Sequence, residues 1–168
     1  RHPLGEIGVQ GSFHNKGRRD SRRPFLCLHD KRTRRLTHQP RLRHTAIRVR
    51  DIDTSIAFYT KYLGMSVTRR RESKPRAHYA AYLAYGDEAS HHAIELVQDF
   101  TPPDEFQMGN LYWHLNFSLP NMMDICSRMK EDGVMFVEEP TPMSMDARYH
   151  VAFVKDPDGY EVELTDFP

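Results

Sequence analysis

Cysteine is scarce in this chain, with two residues in 168, and neither Cys27 nor Cys126 belongs to a CxxC or other thiolate metal spacing. A disulfide framework is therefore not implied, and any metal site must be built from nitrogen and oxygen donors. Long apolar runs are also missing. No stretch approaches the roughly 20 residues that a bilayer-spanning helix needs, and no secretory signal is present, so the chain reads as a soluble protein of the cytoplasm or an organelle interior with no membrane partner. The small net charge of +1 conceals a division: residues 1–43 carry 12 Lys or Arg against 3 Asp or Glu, whereas residues 44–168 carry 12 against 20. The basic part has little hydrophobic periodicity, so it cannot bury enough apolar surface to offset the entropy of ordering it. Residues 1–41 are read as a flexible arm, a leader or solvated tail rather than a nucleic-acid-binding element; an organellar transit segment has the same composition.

What the rest of the chain does have is an internal repeat. His44 and Glu95 lie in the alternating runs LRHTAIRV and HHAIELV, and His114 and Glu163 lie in YWHLNFSL and YEVELTDF. The two histidines are 70 residues apart and the two glutamates 68, so one unit is used twice. The first unit, residues 42–100, opens with a strand at 42–50 and a helix that starts near the caps Asp51 and Asp53 and stops at Gly64. Ile56, Tyr59 and Leu63 fall on one face of that helix, and the runs MSVTRRR, AHYAAYLAYG and HHAIELVQD follow as strands. The second unit, residues 110–168, repeats the order. It has a strand at His114, a helix from Asn121 to Gly133 with Met122, Ile125 and Met129 as its apolar stripe, and strands near 134–138, 149–155 and 160–166. KDPDGYE between the last two strands is hairpin punctuation, with Gly159 free to take positive φ.

The expected fold class is α+β, with two tandem βαβββ modules forming a cup-shaped mixed sheet whose other face is covered by the helices. Because side chains alternate across a strand, Glu95 between Ile94 and Leu96, and Glu163 between Val162 and Leu164, face away from the apolar layer. Ala46, Arg48, Ala93, Val97, Asn116 and Glu161 share that open surface. Two imidazoles and two carboxylates converging there suit one divalent metal ion, which offsets the cost of keeping charge from water. His78, His91, His92 and His150 lack such partners and are expected at the surface or at sheet edges, and Arg69, Arg70, Arg71 and Glu72 as a solvated strand end.

From about residue 42 to 166, the sequence resembles the metal-dependent glyoxalase I enzymes (lactoylglutathione lyases) of the vicinal oxygen chelate superfamily. The pieces that carry the resemblance are LRHTAIRVRDIDTSIAFYTKYLGMSV, AIEL and AFVKDPDGYEVEL. It implies His44, Glu95, His114 and Glu163 as metal ligands, with Glu163 as general base and Glu95 its counterpart across the metal. A histidine at the first ligand position looks like the type that prefers nickel or cobalt, while the ligand set itself also accepts zinc. The implied reaction isomerises the hemithioacetal of a 2-oxoaldehyde and a thiol, normally methylglyoxal and glutathione, to a 2-hydroxyacyl thioester. Arg48 matches a position that contacts the tripeptide's carboxylate; Asp99, Asn116 and Arg148 complete the candidate substrate-binding set.

The chain departs from the family pattern where Glu95 is followed by Leu96, Val97, Gln98 and Asp99, which puts an acid where an asparagine is usual. It departs again at Glu138 and Glu139, where some relatives carry lysines, and at Trp113, where a glycine is usual before the second histidine. In this family the two paired units come from one chain or from two, and a homodimer is the expectation because it covers the open edge. The alternatives within the superfamily are an epimerase acting α to a thioester, a ring-cleaving dioxygenase or a fosfomycin-type transferase, and, in another class, a metal-free binding module.

Overall fold

The computed structural model describes residues 40–168; the basic arm falls almost wholly outside them. The first βαβββ module comprises β1 (His44–Arg48), α1 (Ile52–Lys61), β2 (Ser66–Ser73), β3 (His78–Ala84) and β4 (Ala93–Asp99), with a 3₁₀ turn at Lys74–Arg76. The second comprises β5 (His114–Ser118), α2 (Met122–Glu131), β6 (Phe136–Pro142), β7 (His150–Lys155) and β8 (Glu161–Thr165). Helix α1 begins where Asp51, in extended conformation, accepts a hydrogen bond from the Thr54 N–H at 2.7 Å. That contact holds the Asp51 carboxyl below the usual carboxylate range. Gln98 Oε1, reaching over from β4, takes the Ile52 N–H at 2.8 Å, so a second orphan donor of the first turn is satisfied. After α1 and α2 the chain turns at Gly64 (φ 68°) and Gly133 (φ 78°), a conformation open to glycine without a Cβ penalty.

Within each module the strand order is the same, β1-β4-β3-β2 and β5-β8-β7-β6, with the first pair parallel and the others antiparallel. The pairing divides into two four-stranded sheets, and among the described residues β1 and β5 are each paired along one edge only. What joins the modules is a shared core. Ile47, Ile56, Tyr59, Leu63 and Leu96 of the first pack in one buried cluster with Phe117, Met122, Ile125, Met129 and Val162 of the second. The stripes expected on both helices are buried, as is the Cys126 thiol, which burial pushes up to about 11.

The β7–β8 hairpin at Asp156–Tyr160 adds a polar latch to this core. Gly159 takes φ 94°, and Asp156 Oδ1 accepts from the N–H groups of Asp158 and Tyr160 at 3.0 and 2.9 Å. Its other oxygen accepts from the hydroxyl of Tyr59 on α1 at 2.9 Å. Asp158 then takes the Arg50 N–H and the Ser55 hydroxyl of the first module, at 2.9 and 3.0 Å. The DPDG run is thus a turn that also supplies acceptors to buried donors of the other module, Tyr59 and Ser55 being fully inaccessible.

Candidate functional site

Alternation along β1 buries Ile47 and leaves His44, Ala46 and Arg48 on the open face of the first sheet. The parallel register sets Ala46 beside Glu95 and His44 beside Ala93, so the residue two further along β4 meets each β1 side chain on the diagonal. His44 Nε2 lies 3.1 Å from Glu95 Oε2 by this relation, and Arg48 ion-pairs with Asp99 by the same one. The second module repeats it. His114 sits beside Glu161, and its Nε2 lies 3.0 Å from Glu163 Oε2.

Each half therefore brings one imidazole nitrogen and one carboxylate oxygen together. Two donors bound about 2.1 Å from one ion at a right angle are separated by about 3 Å, so each pair fits adjacent positions on a divalent metal. The four residues do not form a single cluster: among the described residues, no group of three or more His, Cys, Asp or Glu side chains is placed to hold an ion. The donors fit a metal in halves, with an N,O pair on each sheet.

The two halves differ in their surroundings. Glu95 is buried and accepts additional hydrogen bonds from Arg71 at 3.3 Å and from the Tyr82 hydroxyl, while the Tyr82 ring meets His44 edge-on at 5.5 Å. Burial, then the bond to Glu95, raises the Tyr82 phenol above its ordinary value. Glu163 is more accessible and, among the described residues, is held by His114 alone. Nδ1 of His114 is buried and without a partner among the described residues.

Residues 41–164, nearly the whole described region, match the family profile of the Glyoxalase/Bleomycin resistance protein/Dioxygenase superfamily. The chain belongs to this superfamily. Among curated relatives, it is 40% identical over 124 residues to a probable lactoylglutathione lyase of Vibrio cholerae, covering 74% of this chain and 88% of that protein. Among solved structures, it resembles the trypanothione-dependent glyoxalase I of Leishmania major, with a TM-score of 0.66 and 32% identity over 75% of this chain and 86% of that one. Glyoxalase I from Zea mays gives a TM-score of 0.69 at 29% identity, and the chain spans less than half of that longer protein, 44%. Its glyoxalase I relatives imply a divalent metal.

In this glyoxalase-superfamily chain the remaining candidate residues are dispersed. Arg48 is neutralised by Asp99 on the first sheet, near a cavity of about 350 Å³ lined by Ala46, Arg48, Phe106, Met108, Tyr112 and Tyr160. Asn116 sits beside Glu163 in register on the second sheet. Arg148 lies in the β6–β7 connection, highly exposed, with Nε and Nη2 of its guanidinium donating to Asp146. Arg71 is not merely a solvated strand end, because the β2 alternation carries it to Glu95, and Arg69 lies over the Tyr82 ring at 3.5 Å. His78 is buried rather than superficial, with Nε2 unpartnered among the described residues, while His150 pairs with Asp166 at 3.1 Å. The contacts of Arg71 and Tyr82 with Glu95 were hidden from sequence reading because they depend on the β2–β3–β4 register; the alternation of RRR is the one signal that points to them.

Proposed function

We propose that this chain is a glyoxalase I–type lyase, isomerising a 2-oxoaldehyde–thiol hemithioacetal to a 2-hydroxyacyl thioester in the cytoplasm, with glutathione as the thiol. The repeated His–Glu pair on the open face of each module is the observation that carries this reading, supported by relatives named for that activity. His44, Glu95, His114 and Glu163 would hold the divalent ion, and the histidine at position 44 favours nickel or cobalt. When bound, such an ion would supply Lewis-acid stabilisation of the negative charge that develops on oxygen during proton transfer.

The chain's own carboxylates move the proton. The reaction breaks the C–H bond at the thiol-bearing carbon and forms one at the neighbouring carbonyl carbon, while the hydroxyl proton passes to the other oxygen; no oxidant or reductant is needed. Glu163 suits the transfer better than Glu95, whose oxygens are already engaged by Arg71, Tyr82 and His44. Arg48 would orient a carboxylate of the thiol, and the Asp99 partner weakens its hold. Asn116 stands beside Glu163, where its amide can position the substrate, and Arg148 would have to leave Asp146 to contribute.

Because a single chain brings together two donors at each place, the reading includes a homodimer in which the first pair of one chain faces the second pair of its partner. The unpaired edges of β1 and β5 supply the surface for that.

The test is turnover of the methylglyoxal–glutathione hemithioacetal by protein reconstituted with nickel, cobalt or zinc, followed by thioester absorbance and elemental analysis. Glu163→Gln should lower kcat by about 10²- to 10⁴-fold while the protein remains folded. No conversion with any of the three metals, or an unimpaired Gln variant, would overturn the assignment.

A further inference from the structure

The second half-site stands beside an aromatic surface that proton transfer does not require. Phe153 lies opposite Glu163 in the β7–β8 register, so its side chain shares the open face with that carboxylate. The Trp113 ring lies nearly parallel to it, 6° between planes and 6.5 Å between centroids, and 4.7 Å from the imidazole of His114. Phe153 in turn meets His114 edge-on at 5.4 Å. Trp113 nevertheless remains 70% exposed. In the next row of the same face Lys155 and Glu161 neutralise each other at 3.0 Å, which leaves no free cation in that row among the described residues for a carboxylated thiol.

A large aromatic side chain that the single chain leaves uncovered beside a His–Glu pair offers a π face to a bound group. Taking the proposed reaction as given, we infer that Trp113, backed by Phe153, is a specificity-determining residue that receives the substituent on the oxoaldehyde's keto carbon. The preferred substrates are therefore oxoaldehydes bearing an aryl or similarly extended apolar group rather than a methyl. The geometry supports this because the substituent is attached to the carbon that receives the proton. Both reacting carbons come within reach of Glu163, and the rings that flank His114 and Glu163, with Lys155 already held by Glu161, suit the apolar substituent better than the carboxylated thiol.

The wild-type protein, loaded with nickel, should show a higher kcat/KM for the phenylglyoxal–glutathione hemithioacetal than for the methylglyoxal one. Trp113→Ala should lower that ratio about five- to tenfold, and Trp113→Phe should keep most of it. A second readout does not need turnover. Trp113 is the only tryptophan of the chain, so intrinsic tryptophan emission reports this ring alone. Titration with S-mandeloylglutathione should change the emission saturably, and S-lactoylglutathione should change it much less.

A ratio unchanged in Trp113→Ala overturns the inference. So does emission that responds to dilution of the protein but not to S-mandeloylglutathione, since the ring would then lie in a subunit interface away from the ligand. If neither adduct is turned over, the proposed reaction fails and the emission titration alone decides the binding site. If Trp113→Ala does not fold, Trp113→Phe and Phe153→Leu carry the ratio measurement.

Discussion

Replacing Asp156 by alanine should destabilise the whole domain by about 3–4 kcal/mol, more than any surface substitution would. The carboxylate is 5% exposed and accepts three hydrogen bonds, from the Tyr59 hydroxyl and from the N–H groups of Asp158 and Tyr160. Each bond to a charged acceptor is worth about 1.5–3 kcal/mol net. The cost of keeping the carboxylate from water offsets part of this, and that cost is visible in its pKa, which burial raises above the ordinary carboxylate value. The alanine variant recovers the desolvation cost but leaves the Tyr59 hydroxyl, in a fully inaccessible ring, without an acceptor, a loss of about 1–3 kcal/mol.

The sign of the pH dependence follows from the raised pKa. The folded state binds the Asp156 proton more tightly than the unfolded state does. Its titration therefore contributes stability that is full below about pH 4 and is lost as pH rises through the folded value. Urea unfolding of wild type and Asp156→Asn from pH 4 to 7 should show the wild type losing ground to the non-titrating amide as pH increases. Since the latch ties α1 to the second module, both halves should melt in one transition, and Tyr59→Phe with Asp156→Asn should be non-additive. A loss below 0.5 kcal/mol for Asp156→Ala, or separate transitions for the two modules, would refute the latch.

Two further outcomes concern the site. Asp99→Asn frees the Arg48 guanidinium from its ion pair, so KM for the glutathione hemithioacetal should fall about three- to tenfold with little change in kcat, whereas Arg48→Ala should raise KM. A KM that rises in Asp99→Asn would show that the acid itself grips the substrate. Mixing inactive His44→Ala and His114→Ala chains under conditions of subunit exchange should restore activity, because one of the two sites in the mixed dimer then holds all four intact residues. No recovery, with exchange shown by mass spectrometry, would place the four residues within one chain.

Much of this architecture was legible in the residues themselves. The repeat of His and Glu in alternating strands fixes two like modules, and local signals place the helices, from the cap at Asp51 to the glycine stops at Gly64 and Gly133. Alternation with period 2 likewise determines that His44, Arg48, Glu95, His114 and Glu163 stay off the apolar layer, since it is a property of each strand alone. Partnership is not such a property. Arg48 meets Asp99, 51 residues away, because the parallel register of β1 and β4 offsets them by the same diagonal that joins His44 to Glu95. In the same way only the stacking of β2 and β3 on β4 brings Arg71 and Tyr82 to Glu95, and only the docking of the last hairpin on α1 gives Asp156 its bond to Tyr59. The sequence determined which side chains face the open surfaces; tertiary structure decided which of them neutralise one another, because electrostatic contacts depend on distances that a local pattern does not encode.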